Sequence, residues 1–213
     1  MKIKKSLLLI ARVAIFGALA IILYMVPGLQ FPIFPGLTFL KIHFDEIPVL
    51  FASLAYGPLT GSLIIFLKGI FKLIQDIGET GGIGVMADII YGLAFILPAA
   101  FIYKYHKGFK MGLVAIFVGM LVNLIFSAFI GYYLIYPLYG FYFNPSASNY
   151  NEAMETVFTL FKAADSSLTS WKDPKILFEF LLPFNLIKNA VIVVFTILVY
   201  KPLSLLVKKE ENK

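Results

Sequence analysis

Between Ser6 and Val26 the chain runs for about 21 residues with a single charged side chain, Arg12. At ~1.5 Å of rise per residue a helix of that length reaches across the ~30 Å hydrocarbon core of a bilayer. Similar runs recur at Ile83–Tyr103, Met111–Tyr136 and Ile176–Val207. In lipid every backbone N–H and C=O must be satisfied within the protein, so such runs fold as helices. The opening "MKIKKSLLLIARVAIFGALAIILY" has the look of a secretory signal. No small-x-small cleavage site followed by a soluble domain comes after it, and it reads as the first membrane span.

Two further apolar segments are shorter. Ile47–Tyr56 is broken by "YGPLTG", and Leu59–Ile74 resumes after it. The expected architecture is an all-α integral membrane bundle of about six transmembrane helices, a single membrane domain over residues 1–213 without internal repeat. Two connections stand out. Residues 27–48 carry Pro27, Pro32, Pro35 and Pro48 with Gly28 and Gly36, which predicts an ordered, non-helical, lid-like loop. Residues 144–175 are polar and hold the only tryptophan, Trp171; within them "NEAMETVFTLFKAADSSL" suits a surface helix lying over a pocket.

Lysines set the expected orientation, because short cytoplasmic loops carry the basic excess. Six crossings from a cytoplasmic N-terminus bring the C-terminus back to the cytoplasm. Lys2, Lys4, Lys5, Lys104, Lys107, Lys110, Lys201, Lys208, Lys209 and Lys213 then share that side, and Asp45, Glu46, Asp76, Glu79, Glu152, Glu155, Asp165 and Asp173 fall outside. The net charge of +6 thus marks topology and anionic lipid rather than nucleic acid.

Composition closes off much chemistry. Apolar residues make up 60% and charged residues 14%, far from the quarter charged of a soluble domain. With no cysteine there is no disulfide, thiol nucleophile or Cys-ligated metal. The G-x-x-x-x-G-K-[ST], H-E-x-x-H and G-x-S-x-G patterns do not occur. His43 and His106 fall on opposite sides of the membrane and share no site.

Attention therefore goes to polar residues at membrane depth, which are expensive there and tend to mark function. "PFNLIKN" places Asn185, Lys188 and Asn189 on one face of the last helix. Lys188 either snorkels outward or faces a cavity. Lys68, Lys72 and Asp76 step by four residues along another helix, where Lys72 and Asp76 would form an ordinary ion pair. Asp88 lies one to two turns into the next. Asn123, Ser127 and Gly131 share a face, either as ties between helices or as part of a site. On the first helix Ala14 and Ala18 form a small-x-x-x-small unit that lets another helix approach, either inside the bundle or from a partner.

The six-helix pattern, the A-x-x-x-A first helix and the long ordered first loop resemble the substrate-binding S-components of energy-coupling factor (ECF) vitamin transporters. "FDEIPVLFASLAYGPLTG", "YPLYG" and "PFNLIK" are similar to the riboflavin-specific members of that family, and the likeness extends from the second helix to the last. The resemblance implies a high-affinity riboflavin-binding membrane subunit, not an enzyme. It implies uptake with a transmembrane coupling protein and two ATPase subunits supplied in trans, which suits a chain without a P-loop. Riboflavin would be cargo, with no cofactor.

By the same resemblance Asn185 and Lys188 face the flavin ring, and Asp88 matches a polar position beside the pocket where relatives carry Asn. Tyr132 and Phe184 are candidate ring walls, and Ala14 and Ala18 match the motif that docks the coupling protein. One position departs from the pattern. Gly131 precedes Tyr132 where the family often has Asn, leaving one flavin hydrogen bond without its usual partner. An S-component for another vitamin, or a membrane enzyme using Asp88 and Lys188, are the rival readings.

Overall fold

A computed structural model describes residues 2–26, 28–34, Leu37 and 40–211, and the side chains of these except 2–3, Gln75 and 200–211. Pro27, Pro35, Gly36, Thr38 and Phe39 of the proposed lid, and Lys213 of the topology argument, lie outside the described residues. So do the side chains of Lys2, Lys201, Lys208 and Lys209.

The chain is an integral membrane helical bundle. Helix α1 spans Lys2–Met25, α2 Glu46–Tyr56, α3 Pro58–Thr80, α4 Ile83–Tyr105 and α5 Phe109–Ile130. A π-helical turn, Gly131–Ile135, carries α5 into α6, Tyr136–Phe143. A second, Ile176–Leu181, leads into α8, Leu182–Glu211. Segments Lys4–Met25, Ile83–Tyr105, Phe109–Phe143 and Ile176–Val199 are each long and apolar enough to cross a membrane. Their outward faces carry Ile10, Ile15, Phe117, Phe129 and Leu198, all well exposed. Apolar surface of that extent belongs against lipid.

Helix α3 is as long as these, at 23 residues, but interrupted by charge. Lys68, Lys72 and Asp76 are all buried against other helices, so the charges face protein and the apolar side of α3 faces out. With the short α2, the count of about six membrane helices holds. The break at "YGPLTG" is Gly57, at φ +98°, which lets Pro58 start α3 directly. Helix α3 runs to Thr80, beyond the expected Ile74, and ends at Gly81.

The described residues of the first loop up to Asp45 are non-helical and form a two-stranded antiparallel hairpin: β1, Gln30–Pro32, against β2, Lys41–His43, with Phe31 opposite Ile42; the last residues assigned to the loop, Glu46 to Pro48, belong instead to α2. In the polar stretch α7 spans Tyr150–Ala164. Its Asn149 cap accepts from the Glu152 N–H at 3.1 Å. Ala153, Met154, Val157, Phe158 and Phe161 form its buried face. Where α6 meets α7 a Cβ on Gly140 would strike the Ala153 backbone, so only glycine permits that approach.

Candidate functional site

One end of the bundle is hollow. The hairpin, the α3–α4 turn, α6 and α7 converge there: Lys41 reaches Glu79 (3.8 Å), and the Tyr142 hydroxyl donates to Gly78 O (3.4 Å). Beneath them is a cavity of about 580 Å³. That volume lies within the usual range for a small-molecule site.

The last helix supplies Phe184, Asn185 and Lys188 to its wall, and α4 supplies Asp88. The i, i+3 spacing brings Asn185 and Lys188 onto one face, as the sequence indicates. Asn185 is buried, and its amide donates to Leu181 O at 2.9 Å. Lys188 points into the cavity rather than snorkelling to the surface; its Nζ lies 3.9 Å from Asp88 Oδ1. Tyr24, Tyr91, Tyr136 and Tyr139 give the cavity aromatic surface. Thr80, Thr156 and Thr159 add hydroxyls, the last two from α7. The surface helix thus lies over the pocket.

Lys72 corrects one expectation. It does not pair with Asp76. Its Nζ donates to Asp45 (3.4 Å) and forms a close ion pair with Asp88, and it stands 3.8 Å from the centre of the Tyr24 ring. Asp76 accepts instead from Thr80 Oγ1 and from the Val85 N–H at 3.2 Å. Lys68 extends the network, donating to Asp45 (2.8 Å) and Glu46 (2.7 Å). The chain Lys188–Asp88–Lys72–Asp45–Lys68–Glu46 alternates in sign, so each buried charge has an opposite neighbour. It joins α8, α4, α3 and the start of α2.

Asn123 is a helix tie: it donates to Tyr91 O at 2.6 Å and accepts from Asn189 at 2.8 Å, binding α4, α5 and α8. Ser127, a turn on, reaches the cavity wall. Tyr132 stands outside that wall. Its hydroxyl donates to Trp171 O at 3.0 Å, and its ring packs beside the indole. Gly131 faces inward, and a Cβ there would sit 3.1 Å from the Tyr91 hydroxyl.

Among the cavity groups, His43 and Tyr24 were not read from sequence as part of a site, and Lys72 was read with the wrong partner. The four-residue stripe flagged Lys72 as unusual, but its partners are 16 and 27 positions away. His43 and Tyr24 carry no local signal at all. On the opposite part of α1, Ala14 and Ala18 are exposed, while Gly17 and Ala20 are buried and a Cβ on Gly17 would meet Leu67 at 2.7 Å.

Comparison with known proteins agrees with this architecture. The family model described as "ECF transporter, substrate-specific component" matches residues 8–200. The "Riboflavin transporter FmnP" of Bacillus subtilis (strain 168) is 32% identical over 94% of this chain and 93% of its own length. The "Riboflavin transporter RibU" of Staphylococcus aureus (strain TCH60) is 25% identical over 93% of each. The solved S component of a bacterial ECF transporter superposes with a TM-score of 0.65 at 22% identity, covering 94% of this chain and 97% of that one, a likeness of fold.

Proposed function

The chain belongs to the family of ECF transporter substrate-specific components, and from that premise we propose that it is a high-affinity riboflavin-binding subunit for uptake. The observation that carries the reading is the 32% identity to a riboflavin transporter across nearly the whole of both chains. The cavity supports it chemically. A flavin offers a broad apolar ring, an edge of carbonyl and imide groups, and a polyol tail. An aromatic-walled slot with a few convergent polar groups suits such a ligand.

Asn185 has both donor and acceptor for an imide edge, Lys188 only donors for a ring carbonyl, and Asp88 only acceptors while ionised. Tyr132 is assigned to anchoring the Trp171 loop rather than to the ring. The flavin is cargo. The cavity end faces the exterior and both termini the cytoplasm. Uptake uses a transmembrane coupling protein and two ATPase subunits in trans, with Ala14 and Ala18 on the exposed face of α1 as the docking surface. Residues 27–48 act as a lid over the filled cavity.

The test is direct. Protein purified in mild detergent is expected to carry a yellow absorbance band, or to quench the fluorescence of added riboflavin on titration. A colourless protein that leaves riboflavin fluorescence unchanged would overturn the reading, and binding of another vitamin in its place would keep the family and change the cargo.

A further inference from the structure

Asp88 divides its carboxylate between two lysines. Oδ2 is held by Lys72, which is itself fixed by Asp45 at 3.4 Å and by the face of the Tyr24 ring at 3.8 Å. Oδ1 is the oxygen nearer Lys188 Nζ, 3.9 Å away. That separation makes an ion pair but is too long for a hydrogen bond. Among the described residues neither Asp88 Oδ1 nor the Lys188 ammonium makes a hydrogen bond. Both side chains stay open to the cavity they line, Asp88 at 20% and Lys188 at 13% exposure. A carboxylate oxygen only accepts and an ammonium only donates, so the wall presents an acceptor beside a donor.

The gap between them has a size that selects a partner. In an amide edge, H–N–C=O, bonds of about 1.33 Å (C–N) and about 1.23 Å (C=O) set the nitrogen and oxygen about 2.3 Å apart. Hydrogen bonds of about 2.9 Å that join such an edge to two groups 3.9 Å apart each lean outward by about 16°. The N–H and C=O bonds of the edge diverge in the same sense, so both hydrogen bonds stay near straight. An edge without the N–H leaves the carboxylate oxygen covered and unpaired, which is costly.

We propose that Asp88 Oδ1 and Lys188 Nζ together read one H–N–C=O edge of the ligand, and that Lys72 is the positioning residue that keeps the Asp88 oxygen turned to it. The inference rests on the flavin reading of the cavity and deepens it. Of the flavin's imide, the N–H goes to Asp88 and one flanking carbonyl to Lys188, with the second carbonyl left to the Asn185 amide. The cargo must then carry an unsubstituted imide nitrogen.

Riboflavin and 3-methylriboflavin differ at that nitrogen alone. Fluorescence titration of the parent protein is expected to show the methylated flavin bound at least about 10-fold more weakly. Equal affinities overturn the proposal, while a parent protein that binds neither flavin overturns the cargo reading instead.

Variants separate Asp88 from the rest of the wall. In Asp88→Asn the side chain has one oxygen, and Lys72 claims it. The amide nitrogen is then turned to the ligand's N–H, donor against donor. Riboflavin affinity should fall by roughly 10- to 150-fold, 3-methylriboflavin affinity should fall less, and the ratio between the two should close. Adding Lys72→Met frees the amide to turn its oxygen to the ligand, and riboflavin affinity should recover several-fold over Asp88→Asn alone. A residue that only shapes the wall lowers both flavins alike, so an unchanged ratio in Asp88→Asn overturns the proposal. A double variant that binds riboflavin no better than Asp88→Asn overturns the positioning role of Lys72. If Lys72→Met does not fold in that chain, Lys72→Leu replaces it in the same comparison.

Discussion

Lys188 of α8 and Asp88 of α4 approach to 3.9 Å across the cavity wall, while the same Asp88 forms a closer ion pair with Lys72 of α3. Asp88 therefore serves two lysines unequally. Lys72 has Asp45 as well, and Lys188 has only the looser contact. Of the two lysines that meet Asp88, Lys188 is thus the one whose donors are freer to turn toward a ligand.

From this follows the expected behaviour of Lys188→Met. The thioether keeps most of the stem and removes the ammonium. A hydrogen bond involving a charged group contributes roughly 1.5–3 kcal/mol, so riboflavin affinity should fall by roughly 10- to 150-fold. Fluorescence titration reads this. Unchanged affinity would remove Lys188 from the ligand contacts and leave Asn185 and Asp88.

Lys72 should behave differently. It is 3% exposed and holds two carboxylates. Breaking a buried pair by deleting one partner leaves an uncompensated charge, at a cost of about 3–5 kcal/mol. Lys72→Met is expected to lower the melting temperature of ligand-free protein more than Asp88→Asn, because Asp88 borders the cavity at 20% exposure. Equal melting in the two variants would mean the network is not the support drawn here.

The helices were legible because lipid imposes long apolar runs, and the break at Gly57 and the polar stretch mark ends; the last turns of α3, from Gln75 to Thr80, were not, because they carry polar and charged residues. The face of Asn185 and Lys188 was legible because three-residue spacing is local. The partner of Lys72 was not: Asp76 is the neighbour by spacing, but the Thr80 hydroxyl and the Val85 N–H take its carboxylate, and the lysine turns to Asp45 and Asp88. The cavity role of His43 depends on a hairpin register that brings Gln30 opposite it, which local pattern does not encode.

Gly131 gives a packing prediction. A side chain there meets the Tyr91 hydroxyl at once, since even a Cβ would lie 3.1 Å away. Gly131→Asn alone should overpack the wall, at about 1–3 kcal/mol, and Tyr91→Phe in the same chain should relieve most of it. Thermal unfolding of the single and double variants checks this. A double variant no more stable than Gly131→Asn would show that Tyr91 is not the obstacle.

The lid predicts protection. Lys41 on β2 keeps 30% of its side chain exposed and is followed by Ile42, which makes it an accessible target for trypsin. If the hairpin is held down by ligand, cleavage there should slow several-fold on adding riboflavin, by a mechanism in which local opening precedes cutting. Equal rates with and without riboflavin would separate the hairpin from ligand retention.

Helix α1 divides its small residues between two faces. Its buried small residues, Gly17 and Ala20, face the bundle, and a Cβ on Gly17 already meets Leu67. Ala14 and Ala18 face outward, so they are not the contacts that pack α1 at home. Small side chains on an outward helix face let a second helix come close, where dispersion contacts and weak backbone interactions accumulate without a bulky residue between. Replacing both with Leu adds bulk toward lipid, which the fold tolerates, and toward any docking helix, which close packing does not. Riboflavin affinity in detergent should therefore stay within about twofold of the parent, a difference below ~0.5 kcal/mol, while uptake into cells holding the coupling protein and ATPases should be lost. Uptake that persists in the double variant would place the coupling surface elsewhere on the bundle, and affinity that falls with it would mean that α1 shapes the cavity as well.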